Sequence, residues 1–143
     1  MLEHATHPVL TGRVRGVLGP LTVAAFALAG VGVISALDPN QPGHYPTCPF
    51  LAVTGAYCPG CGSLRAIHAL AHGDPATAMA RNPFAVVTLV ALTFGWAWWA
   101  RRLWQGRERT WAAPAWTIYT LSGIVLVFWV LRNVPGWAWL SPA

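Results

Sequence analysis

A chain of 143 residues with 9% charged and 55% hydrophobic side chains and a positive mean hydropathy lacks the roughly one-quarter charged residues that dress a soluble surface. Composition therefore places it in a membrane. All nine basic residues are arginine and the net charge is +5, but these arginines bracket apolar runs instead of gathering on one surface, which argues against a nucleic-acid partner and ties the basic balance to membrane topology.

In chain order, residues 1–15 form an N-terminal tail carrying Arg13 and Arg15. Residues 16–37 follow without a single charge, long enough to cross a hydrocarbon core about 30 Å thick at about 1.5 Å per residue. The run exceeds the apolar stretch of a signal peptide and has no clean small-x-small cleavage site, so it reads as a retained anchor ended by Asp38-Pro39-Asn40. A second span covers 83–100, opened by Asn82 as a cap and by Pro83, whose missing N–H costs least in a first helical turn. Trp96, Trp98 and Trp99 precede Arg101 and Arg102, an arrangement that marks a water interface. An Arg-rich connection, 101–111, leads to a third span, 112–131, and an aromatic tail, 132–143, in which Trp137-Ala138-Trp139-Leu140 anchors the second interface.

Arg13, Arg15, Arg101, Arg102, Arg107 and Arg109 fall on one side of these spans, and Arg65, Arg81 and Arg132 on the other. The richer side is expected to be cytoplasmic. That puts the N-terminus inside, and the long loop and C-terminal tail outside.

The loop, residues 38–82, holds all three cysteines and three of the five histidines. It is too long for an ordinary connection, and its apolar patch, Phe50 to Val53, argues against disorder. A short helix is expected from Gly62 to His72. At helical spacing it gathers Cys61, Arg65, His68 and His72 on one face, with Leu64, Ile67 and Ala71 as an adjoining apolar stripe. Gly73-Asp74-Pro75 stops it and starts a second short helix, Ala76 to Arg81, with Asp74 as N-cap. The expected fold class is thus an all-α integral membrane protein of three transmembrane helices, with an interfacial helical hairpin between the first and second.

The chemistry-bearing motif is Cys58-Pro59-Gly60-Cys61-Gly62, with Cys48 ten positions upstream. Three readings stand side by side. A Cys-x-x-Cys pair at a helix start, with Arg65 one turn along, suits thiol–disulfide exchange, with Cys58 attacking, Cys61 resolving and Cys48 exchanging with either. Three cysteines fall short of the two pairs that quinone-coupled membrane oxidants present. The same spacing suits a zinc knuckle with Cys48, Cys58 and Cys61 as ligands, completed by His68 or by His44 or His72. A structural disulfide or small buried thiols that lock the loop form the third reading. Separately, Arg65, Arg81 and Arg132 stand at the outer ends of helices, where converging guanidinium groups would bind phosphate or carboxylate, such as a lipid headgroup; single arginines snorkelling to headgroups explain the same pattern.

These residues resemble a family of small bacterial membrane proteins known as domain of unknown function 2752. The resemblance rests on Cys48, Thr54-Gly55, Cys58-Pro59-Gly60-Cys61-Gly62, Arg65-Ala66, His72-Gly73-Asp74 and Asn82-Pro83, with Leu64 departing from the threonine usual before the arginine. It implies a membrane address and no mechanism.

No phosphate-cradling Gly-rich loop and no His-Glu-x-x-His occurs, and Asp38 and Asp74 alone supply carboxylates to the outer face, so hydrolytic chemistry is not expected without a partner. The chain reads as an accessory or interaction module whose cysteine loop is the working site, with a membrane thiol oxidoreductase as the alternative. Membrane lipid and a homo-oligomer or membrane partner are the expected associates.

Overall fold

The computed structural model describes residues 8–107, 113–137 and 140–141, the stretch 8–15 as backbone only. Among these residues every regular element is a helix: α1 Pro8–Ala36, α2 Pro49–Thr54, α3 Ser63–Ala71, α4 Pro75–Arg81, α5 Pro83–Trp104 and α6 Ala115–Leu131. One isolated bridge joins Pro42 and Tyr45, without forming a strand. Arg109, Trp139 and the expected start of the third span at residue 112 lie outside the described residues, as do the side chains of Arg13 and Arg15.

Two segments are long and apolar enough to cross a membrane, Gly16–Ala36 with 21 residues and Pro83–Trp104 with 22. In their most apolar windows only 6% and 0% of residues are buried. A core helix of a soluble protein would hide such residues; here Phe26 is 80% exposed and Phe94 73%, so neither segment is a buried core helix. α6 is more apolar than either but has 17 residues, about 25 Å at 1.5 Å per residue. α1 starts at Pro8, inside the segment expected to be tail.

α1 and α5 lie antiparallel. Trp96 Nε1 donates to the Pro20 carbonyl at 3.0 Å, and a Cβ added to Gly19 would meet the Trp99 ring at 3.6 Å. Trp96 thus satisfies its indole N–H inside the helix pair, while Trp98 stays exposed. At the other end of α1, His68 of α3 reaches the Ile34 carbonyl at 2.8 Å.

α3 and α4 close on each other through small residues. Ala66, Ala69 and Ala78 are buried together, with Leu70 and Val86 against them. The buried face of α3 therefore lies at Ala66 and Ala69 instead of along the Leu64–Ile67–Ala71 stripe, because alanines let the α4 backbone approach and Leu64 is left exposed. Both expected caps form. Asp74 Oδ1 accepts from the Thr77 N–H at 2.9 Å, and Asn82 Oδ1 from the Ala85 N–H at 2.9 Å. α6 meets this end of the molecule through Phe128, stacked on Phe84 with centroids 5.0 Å apart, and through Trp129, edge-on to Phe50 at 5.5 Å.

Candidate metal centre

The three cysteines come from two loop turns. Cys48 precedes α2, whose first turn is set by Pro49; Cys58 and Cys61 flank the tight turn Pro59-Gly60, closed by the Cys61 N–H on the Cys58 carbonyl at 3.1 Å. Gly62 then adopts φ 82 to start α3, a left-handed conformation that glycine takes without a Cβ penalty.

These turns bring the sulfurs together. Cys48 Sγ lies 3.5 Å from Cys58 Sγ, Cys58 Sγ lies 3.2 Å from Cys61 Sγ, and all three fall within 4.8 Å of one another. All are free thiols, with Cys61 buried and the other two half-buried. Sulfurs at about 2.3 Å from a tetrahedral zinc stand roughly 3.8 Å apart, so the observed spacings match a shared ion after small adjustments. Cys48 is held below the ordinary thiol value, first by the Leu51 N–H and then by the Cys58 thiol. Burial pushes the Cys61 thiol up to about 12, with the hydrogen bond to Cys58 adding to the shift. Cys61 therefore keeps its proton in the metal-free loop, and a cation is what would displace it.

The backbone behind the sulfurs is clamped by side chains from two distant elements. Asn82, fully buried, donates its amide N–H groups to the carbonyls of Pro59 at 3.0 Å and Cys61 at 3.1 Å and to Ser63 Oγ at 3.1 Å. Arg132, at the end of α6 and 1% exposed, gives one terminal nitrogen to the carbonyls of Cys58 and Pro59, both at 3.0 Å, and the other to Cys61 O at 3.1 Å. Its guanidinium carbon lies 5.0 Å from the Phe128 ring centroid and 6.0 Å from that of Tyr57. Asn133 pairs with the Tyr57 backbone on both sides, accepting from its N–H at 2.8 Å and donating to its carbonyl at 2.9 Å. Sequence reasoning had Arg132 among anion-binding arginines and Asn82 as a cap only. Asn82-Pro83 belongs to the sequence motif and Arg132 stands at a helix end, but nothing local to either showed that the cysteine turn lies against them.

The other expected site residues are placed elsewhere. His68 directs Nδ1 to Ile34 O and holds Nε2 3.7 Å from Asp38 Oδ1, while His72 Nδ1 sits 2.8 Å from His68 O with the two rings 4.3 Å apart. His44 Nδ1 is 2.9 Å from the Asp38 carbonyl. Among the described residues the metal-ligating cluster consists of the three cysteines, without His68. Arg65 lines a cavity of about 540 Å³ together with Cys48, Cys61 and Tyr45; the buried Tyr45 hydroxyl has no hydrogen-bond partner among the described residues. Arg81 ends α4.

Fold and site together define an all-helical protein with two candidate membrane spans and a clamped three-thiol cluster able to hold a metal ion. Residues 48–96 match the family model described as "Protein of unknown function (DUF2752)", the family the motif resembles; the match takes in all three cysteines and Asn82 and stops short of Arg132. No curated protein and no solved structure matches the chain.

Proposed function

We propose that this chain is a small multi-pass membrane protein whose Cys48, Cys58 and Cys61 hold a thiophilic divalent metal ion, zinc by choice of ligands, and that the metal shapes the loop as an accessory or docking module. The observation that carries the reading is the convergence of three free thiol sulfurs within 4.8 Å on a turn whose carbonyls are already fixed by Arg132 and Asn82. Thiolate-rich closed sites are what zinc uses structurally, and the fourth position falls to a ligand outside the three. The cavity beside Cys48 and Cys61 has room for it. A thiol oxidoreductase is the less favoured reading: it needs one exposed attacking thiol, whereas the metal uses all three together.

α6 completes a third crossing in this reading, and the loop with its hairpin of α3 and α4 lies in the interface on the outer side. Apolar faces left exposed on α1, α5 and α6 pack against lipid or against a second copy or partner chain.

The test is metal content. Full-length protein purified in detergent, and loaded with zinc before buffer exchange, is expected to retain about one zinc per chain. Cys58→Ser and Cys61→Ser should each lose most of it while the helix content holds. Protein that retains no zinc, or retains it equally after either substitution, would contradict the reading. A Cys58–Cys61 disulfide that turns over with a thiol donor would favour exchange instead.

A further inference from the structure

Arg132 is a permanently charged side chain at 1% exposure. Among the described residues, every hydrogen bond it donates goes to a neutral carbonyl, its Nε is buried without a partner, and no carboxylate forms an ion pair with it. Buried charges are ordinarily matched by a counter-charge, since an unmatched ion is expensive to desolvate. The ionisable groups whose charged forms would act on it are Cys61, Cys58 and Tyr57, and two of these are members of the thiol cluster.

Resting on the metal reading above, we infer that Arg132 is the counter-cation of the metal centre, and that the species the site is built for is a divalent ion on three thiolates. Such a complex bears one net negative charge, which one guanidinium offsets, so the filled site is neutral as a whole. A monovalent ion on the same thiolates would leave a charge unmatched. Arg132 touches no ligand atom in this account; it positions the turn and supplies charge.

The experiment compares zinc affinity, by competition with a chelator, for the full-length chain, Arg132→Gln and Arg132→Lys. Glutamine keeps a hydrogen-bond donor and removes the charge; lysine keeps the charge and gives up the forked geometry. A unit charge several ångströms away at an effective dielectric of about 20 is worth on the order of a hundredfold in affinity. The expected result is a loss of about that size for Arg132→Gln and a recovery to within about tenfold of the natural chain for Arg132→Lys, with cobalt-loaded proteins keeping the same thiolate-to-metal absorption shape. Equal affinity of Arg132→Gln and the natural chain would overturn the inference and leave the metal reading standing. So would a loss for lysine as deep as for glutamine, which would make the forked geometry and not the charge decisive. If glutamine prevents folding, the lysine variant alone decides by the same threshold. A natural chain that binds no zinc would instead remove the metal reading beneath it.

Discussion

At the scale of single residues, Asn82 does two jobs with one side chain. Its oxygen caps α5 and its nitrogen fixes the carbonyls of Pro59 and Cys61, so the helix start and the cysteine turn share one buried group. Replacing it by alanine removes the cap and strands buried carbonyls, a combined cost of about 2–4 kcal/mol. Asn82→Asp keeps the acceptor and loses the donors, so it should preserve α5 and still weaken zinc retention. Thermal unfolding in detergent together with zinc content separates these effects; an Asn82→Asp protein with unaltered zinc content would show the donors to be irrelevant. The cap was legible in the sequence because Asn-Pro before an apolar run is a local signal. The amide's second use was not, because its partners lie 19 to 23 residues away and are reached only through the packing of α3 on α4.

Among the elements, α4 depends on a cap that titrates. The Thr77 side chain and N–H hold the Asp74 carboxyl below the ordinary carboxylate value. A carboxyl lowered in the folded state contributes stability above its unfolded value near 3.8 and loses it as pH falls through the lower folded value. Hydrogen exchange at the Thr77 amide should therefore gain relative to the other α4 amides as pH drops through that window. Asp74→Asn, which caps without a charge, should abolish that dependence; an unchanged profile in the variant would assign it to another group. Both short helices were readable from Asp74-Pro75 and Gly73, and the three-cysteine cluster from its spacing. The rotation of α3 was not. Helical spacing alone puts Cys61, Arg65, His68 and His72 on one face, but contact through Ala66 and Ala69 turns His68 toward Ile34 and Asp38, away from the sulfurs. α2 was legible only as an apolar patch, since six residues are too few to display a period.

Across the whole molecule, the antiparallel pair α1–α5 and the approach of α6 to the start of α5 place the cysteine loop and Arg132 at one end, with Arg101 and Arg102 at the other. In the proposed membrane reading, the arginine asymmetry in the sequence sets which of these ends faces the cytoplasm. Reporter domains fused after Gln105 and after Ala143 test it: the first should be cytoplasmic and the second outside. Both on one side would mean that α6 does not cross. The two candidate spans and the shorter apolar α6 were legible in composition, whereas the link that ties α6 to the loop, Arg132 and Asn133 on the backbone of residues 57–61, joins positions some seventy residues apart and has no local signature.

The measurement that reaches the central claim most directly is X-ray absorption at the zinc edge on the purified, zinc-loaded full-length protein. Three sulfur ligands at about 2.3 Å, with one lighter donor, are the expected first shell. A shell of nitrogen and oxygen alone, or zinc held with fewer than three sulfurs, would contradict the assignment of Cys48, Cys58 and Cys61 as one metal centre.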